Sequence, residues 1–337
     1  MRETHVHAGD NVRFSREGQC IVELTVAICT FNRAARMPVL IRSLCAQRVD
    51  VPWEILVIDN NSTDNTRGTL ESLMKESGGR LRVVSEPAQG IVHARNRAIA
   101  ESLGSTYLLF MDDDELPAYE GMLQAALDTF RYNDAMCVGG KISICFEPGT
   151  RPAWLGDDLM LFLGKVDYGS SEFWIRDEST PVWSGNVAYK TSLFRDDPTL
   201  RFDMRYNRAG QGIGGGEDKM MFLELLSRGV AIRYQPAMEV LHFIEPFKLK
   251  RRYFLNLHFL SGFKDGRYDR GKTPKDVFGI PPYMVRQAFE AFFCYCEKIM
   301  RREKTALRQG MVFTYILGAM YGRFISWRET HASSREG

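Results

Sequence analysis

The sequence predicts an α/β fold: a mostly parallel central sheet, Rossmann-like, flanked by helices and followed by a helical C-terminal extension. Three observations carry this expectation. From residue 23, short apolar β-rich runs alternate with amphipathic helical stretches. Polar clusters recur where those runs end, which is where open α/β sheets place their ligands. Beyond residue 246 the chain turns basic and aromatic.

The runs follow in order. "LTVAIC" (24–29) reads as a strand, followed by a helix over 35–47. "WEILVID" (53–59) is a second strand, and a helix over 63–77 has Ser62 or Thr63 placed to cap it. "LRVVSE" (81–86) is a third strand, with a helix near 90–103, and "TYLLFM" (106–111) is a fourth. Apolar strands alternating with helices imply a parallel sheet covered on both faces. "AMCVGGKISICF" (135–146) and "TPVWSGNVAYK" (180–190) supply further strands, and "VAIRYQP" (230–236) and "MEVLHFI" (238–244) two short ones. Between them, residues 208–229 read as a mobile glycine-rich loop and a helix starting near Glu217.

Composition narrows the class. Apolar residues make up 45% and charged residues 26%, with a net charge of +2, so the chain has no electrostatic reason to bind nucleic acid. Seven scattered cysteines suit buried thiols in a reducing compartment and no structural zinc. Residues 1–22 are polar, lack the apolar core of a secretory signal, and are expected to form a loosely held extension. The expected division is an extension over 1–22, an α/β domain over 23–245 and a basic, aromatic-rich helical region over 246–337.

Three acidic sites invite chemistry. "LLFMDDDELP" sets Asp112, Asp113, Asp114 and Glu115 against an apolar strand. Either these acids fan into water or a cation compensates them, and hard oxygen ligands suit Mg²⁺ or Mn²⁺. Strand alternation would turn Asp112 and Asp114 to one side and Asp113 to the other. "DNNSTD" (59–64) offers Asp59 and Asn60 to base edges and ribose hydroxyls, or makes an ordinary loop and cap. In "GGGEDKMM", Glu217 and Asp218 stand at a helix start, either as plain first-turn acids or with one of them a general base for a hydroxyl group.

In this order, "TFNR", "VIDNNSTDNT", "GIVHARNRAI", the aspartate run, "WSGNVAY" and "GGGED" resemble the family 2 inverting glycosyltransferases of GT-A fold. The resemblance covers residues 23–245 and is nearest in flavour to bacterial exopolysaccharide or succinoglycan-type enzymes. It implies nucleotide-sugar contacts from Thr30, Asn32, Arg33, Asp59, Asn60, Arg95, Asn96, Asp112 and Asp113. Asn60 stands where many members carry a second aspartate, and uridine remains the favoured base. Asp114 is implied as direct metal ligand, Asp112 as reaching ribose or metal-bound water, Asp218 as catalytic base and Glu217 as its orienting neighbour. His242 would complete the shell around Mn²⁺ or Mg²⁺, or is a core histidine. Trp183, Gly185 and Asn186 would line the acceptor or donor sugar, unless Trp183 is simply buried in a turn.

The implied partners are a nucleotide-sugar donor, UDP-linked by preference, and a glycan or lipid-diphosphate-linked acceptor. A nucleotidyltransferase would put glycines after the first strand, which "TFNRAARM" lacks, and a non-catalytic glycan-binding protein would not need the acids. Residues 246–308 hold fifteen Lys and Arg against six Asp and Glu. The apolar run 311–327, about 26 Å as a helix, is marginal for crossing a bilayer. Peripheral membrane contact through 246–327, at the cytoplasmic face, is the expectation. The alternative is a helical subdomain closing over the catalytic core.

Overall fold

The computed structural model describes residues 22–208, 213–268 and 276–333. All but the last residue of the expected extension lies outside them, as do residues 209–212 of the glycine-rich loop. The chain divides into two compact units. The first takes in residues up to Cys145, then Leu163–Gly210 and Glu217–Phe243. The second holds Phe146–Phe162, Gln211–Gly216 and everything from Ile244.

The first unit opens with β1 (Leu24–Thr30), α1 (Met37–Cys45), β2 (Trp53–Asp59), α2 (Thr66–Glu76), β3 (Leu81–Ser85), α3 (Ile91–Glu101) and β4 (Tyr107–Asp112). It continues with β5 (Glu115–Pro117), α4 (Met122–Tyr132), β6 (Cys137–Cys145), β7 (Phe173–Ile175), β8 (Asn186–Lys190), α5 (Ser192–Asp196), α6 (Glu217–Ser227) and β9 (Ile232–Phe243). The sheet order is β3-β2-β1-β4-β8-β6-β9-β5, with β7 also on β9. Strands β3, β2, β1, β4, β6 and β9 point one way, and β8, β5 and β7 oppose them.

Local chemistry explains the elements. Strands β1, β2 and β4 are continuous apolar runs because both faces are covered, and Ile28, Leu56 and Leu109 are fully buried. Helix α1 carries Pro38 in its first turn and buries Met37, Leu40, Ile41 and Leu44 at helical spacing. Helix α2 starts at Thr66, three residues later than expected. The residues ahead of it are held in the loop instead: Asn32 Oδ1 accepts from the N–H groups of Thr63 and Asp64, and Asp64 Oδ1 accepts from Thr66 N.

The two short strands expected over 230–236 and 238–244 are one strand, β9. Its pairing with β6 shifts register between Gly140 and Lys141. Pro236 sits at this bulge, where the missing donor is tolerated. The Asn186 carboxamide holds the bulge by donating to Lys141 O (2.9 Å) and Met238 O (2.7 Å).

The second unit contains α7 (Arg251–Tyr268), α8 (Pro282–Met300) and α9 (Ala306–Ser333). Helices α7 and α9 approach backbone to backbone: a Cβ on Gly262 would lie 2.0 Å from Tyr315 O, and one on Gly318 would lie 1.9 Å from Phe259 O. The apolar run 311–327 therefore lies within α9 and packs along α7, and its buried Arg323 pairs with Asp276 at 3.3 Å. Among the described residues, no helix is long and apolar enough to cross a membrane.

Candidate active site at the strand ends

The parallel register sets Thr30 beside Asp59, and Cys29 beside Asp112, along one edge of the sheet. Hydrogen bonds then knit the loops beyond. Thr30 Oγ1 donates to Asp113 Oδ2 (2.8 Å), and Arg33 Nε lies 3.3 Å from Asp113 Oδ1. Asn32 takes a left-handed φ of 55°, which asparagine tolerates, and its N–H donates to Ser62 Oγ. Asp59 is buried and accepts from Ser62 N at 3.1 Å. The Asn60 carboxamide donates to Glu86 O and Ala88 O and accepts from Gly90 N, which leaves it a positioning role in the loop before α3.

Strand β4 stops at Asp112, so strand alternation does not extend to Asp113 and Asp114, and each acid finds its own partners. Asp113 faces Thr30 and Arg33. Burial pushes its carboxyl up to about 7, with Asp114 and Asp112 adding to the rise while Arg33 and Thr30 oppose it. Asp114 Oδ2 lies 3.3 Å from His242 Nε2, and both residues are buried. Glu115 pairs with His242 across β5 and β9 and accepts from Asp112 N at 3.1 Å.

The carboxylate–imidazole pair of Asp114 and His242 fits a divalent cation. Among the described residues, no three His, Cys, Asp or Glu side chains form a complete cage. A divalent cation of this kind commonly takes one or two protein ligands and leaves its other positions to phosphate and water oxygens. Asp114 would supply the carboxylate and His242 the nitrogen, a ligand better suited to Mn²⁺ than to Mg²⁺. Asp112, in the same turn, is more open, with its side chain 42% exposed.

Arg95, on α3, joins the acidic sites. Its Nη1 reaches Glu217 Oε1 (3.0 Å) and Asp218 Oδ1 (2.5 Å), and its Nη2 reaches Asp112 Oδ1 (3.3 Å). The guanidinium also lies 5.4 Å from the Phe202 ring centroid. Burial alone would pull its pKa down, but Asp218, Asp112 and Glu217 together hold it above the ordinary arginine range. Glu217 is pushed up by burial and then by Asp218, against the pull of Arg95 and Arg208, and its buried Oε2 makes no hydrogen bond among the described residues. Asp218 differs: its side chain is 24% exposed against 3% for Glu217.

Asn96 exchanges both carboxamide bonds with the Phe202 backbone (3.0 and 2.9 Å), fixing the residue beneath Arg95. Gly185 leaves room for Glu115: a Cβ there would come within 2.7 Å of Glu115 Oε1. Asn186 is committed to the β6–β9 bulge, its buried Oδ1 without a partner among the described residues, and Trp183 packs half-buried against the core. Two residues that sequence reasoning did not single out, Phe202 and Asn207, help to build the site, as does Glu115, which it named in the acid run without giving it a role. Glu115 orients the Asp112 backbone, Phe202 supports Arg95, and Asn207 Oδ1 accepts from Val92 N at the start of α3. Glu115 carried a signal, an acid within an apolar-flanked run; Phe202 and Asn207 carried none.

Comparison with known proteins adds the family. The chain is 26% identical over 124 residues to an uncharacterized glycosyltransferase of Nostoc sp., covering 36% of this chain and 37% of that protein. The chain thus spans little more than a third of the length of that curated relative. Its fold is similar to that of the mannosyltransferase PcManGT from Pyrobaculum calidifontis, in complex with GDP-Man and Mn²⁺. The TM-score is 0.52 at 16% identity, covering 94% of this chain and 75% of that one. It is also similar to residues 1–349 of TarS from S. aureus in complex with UDP, with a TM-score of 0.50 at 17% identity, covering 92% of each chain. These likenesses establish the GT-A fold. The Glycosyl transferase family 2 model matches residues 25–197, just over half of the sequence, and the chain belongs to that family.

Proposed function

We propose that this enzyme transfers a sugar from a nucleotide-diphosphate donor, UDP-linked by preference, to a hydroxyl of a glycan or lipid-diphosphate-linked acceptor, with inversion and with a divalent cation. The setting proposed is bacterial polysaccharide assembly, with peripheral contact at the inner face of the cell membrane through residues 246–327. One observation carries the reading: a buried arginine ties the strand-end acid Asp112 to the helix-start acids Glu217 and Asp218. In this reading a diphosphate site beside Asp112 and a base for the acceptor share Arg95 as their common partner. The nucleotide-linked ligands of the two structural neighbours, and the Mn²⁺ of one of them, support a donor and a cation of these classes.

In this reading Thr30, Asn32, Arg33, Asp59 and Asp113 frame the nucleotide, while Asn60 and Asn96 act through the loop and the Phe202 backbone that they position. Asp114 and His242 would hold Mn²⁺ or Mg²⁺, with Asp112 beside them. The cation would neutralise charge on the departing diphosphate. Asp218, reachable from solvent and oriented by Arg95, takes the proton of the acceptor hydroxyl. The acceptor oxygen then bonds to the anomeric carbon from the face opposite the nucleotide. The bond to the donor phosphate oxygen breaks, and the configuration inverts in one displacement. Trp183 offers an aromatic face to a sugar ring.

Nucleoside-diphosphate release from UDP-, GDP- and dTDP-sugars, with Mn²⁺, with Mg²⁺ and with EDTA, tests this. One donor is expected to turn over, only with metal, and Asp218→Asn is expected to lower turnover about 10²- to 10⁴-fold, as loss of a general base does. Turnover surviving in EDTA or in Asp218→Asn would remove the cation or the base from the reading.

A further inference from the structure

Helix α8 has an apolar arc wider than the surface it buries. Met284, Ala288 and Ala291 turn inward at four- and three-residue steps. One step round the helix, Val285, Phe289, Phe292, Phe293 and Met300 form a second stripe that stays exposed; Phe289 is 61%, Phe293 66% and Met300 77% accessible. A helix that packs on one side alone has no need of that stripe. Its polar side is neutralised by internal pairing, Arg286 with Glu290 and Glu297 with Arg301.

The stripe ends in a cationic turn. Directly after Met300, Arg301, Arg302 and Lys304 are exposed; Arg301 also reaches Glu297 and Glu303 pairs with Lys298, so the turn's uncompensated charge lies on Arg302 and Lys304. The wider region is positive as well, fifteen Lys and Arg against six Asp and Glu over 246–308. Aromatic and aliphatic side chains on one face, leading into exposed cations, suit an anionic bilayer surface. Rings enter the boundary between headgroups and acyl chains, and cations meet lipid phosphates. A second copy of the chain would present the same positive charge and be repelled.

We infer that α8 lies in the plane of an anionic membrane surface, with the Val285–Phe289–Phe293–Met300 stripe immersed and the 301–304 turn on the headgroups. This deepens the peripheral placement proposed above and rests on it.

The test is co-sedimentation of the full chain with vesicles of phosphatidylcholine alone, or with about one third phosphatidylglycerol, at low and roughly 0.5 M salt. Binding is expected only to the anionic vesicles and to weaken in salt. The double variant Phe289→Asp and Phe293→Asp is expected to reduce the bound fraction at least about tenfold while nucleotide release is unchanged. Should that variant melt early, Arg301→Gln with Arg302→Gln and Lys304→Gln carries the test, with a smaller loss and a flattened salt response.

Failure of the wild type to bind anionic vesicles overturns both the inference and the peripheral placement, and leaves glycosyl transfer, read separately, standing. Binding that both variants share overturns the role of α8 alone. Concentration-dependent dimers lost in the phenylalanine variant, without vesicle binding, assign the face to a second copy and overturn the proposal.

Discussion

In the sheet unit, the apolar residues of β1, β2 and β4 are enclosed on both faces, and the charged residues at their ends are tied to neighbours on other elements. In the C-terminal unit, α7 and α9 touch through glycine backbones, while large apolar side chains of α8 remain outside. The contrast follows from what each unit has to hold still. Like-charged acids near one another repel, and stay together only when cations and hydrogen bonds fix them in a rigid, desolvated frame. A helix pair joined through glycine needs no such frame, because contact of the two backbones is its packing.

Removing Arg95 breaks the first unit's arrangement most severely. In Arg95→Met, Glu217 stays buried without its cation while Asp218 and Asp112 lose their common anchor. Breaking a buried ion pair from one side typically destabilises by about 3–5 kcal/mol. Chemical denaturation should show a loss of that order, and nucleotide release should collapse with it. Arg95→Lys keeps the charge but not the planar fork that reaches three carboxylates, so it should fall between wild type and methionine. A methionine variant with wild-type stability and turnover would show that the acids hold themselves.

The second unit should break at a glycine instead. In Gly318→Val a side chain would be forced against the Phe259 carbonyl, and overpacking of this kind costs about 1–3 kcal/mol or more. Gly104→Ala is the control, since nothing lies within 4 Å of its added carbon, and it should be close to neutral. Thermal unfolding measures both. Nucleotide release per folded molecule should survive in Gly318→Val, because every residue placed in the site belongs to the sheet unit. Its loss at a temperature where the variant is folded would show that the helices take part in turnover.

The two units also differ in how far they can be read in advance. Strands β1 to β4 are apolar runs ended by polar clusters, and a parallel sheet leaves few other places for such runs. The acids at their ends were visible for the same reason. Less legible was which polar side chains serve a ligand and which serve the chain. A carboxamide bonds a base edge or a backbone amide equally well. Thus Asn60, Asn96 and Asn186 look alike in sequence, and only the fold shows them bonded to the 86–90 loop, to Phe202 and to the β6–β9 bulge. The single strand β9 was hidden by Pro236, which reads as a break until a bulge explains it. The glycine crossing of α7 and α9 is a contact between distant segments, and neither segment announces its partner.

The smallest effect expected separates Glu217 from Asp218. Burial raises the Glu217 pKa above its ordinary 4.5, so the folded protein holds the Glu217 proton more tightly than the unfolded chain does. Its protonated form therefore contributes stability that is present in full below pH 4.5 and is lost as the pH climbs through the raised value. Glu217→Gln has no proton to lose there. Relative to wild type, the glutamine variant should gain stability between pH 4.5 and pH 8, and denaturation midpoints of the two proteins at both pH values give the comparison. Equal pH slopes would mean that Arg95 already compensates the ionised glutamate fully, making Glu217 a second charged partner of the clamp rather than a strained neighbour of Asp218.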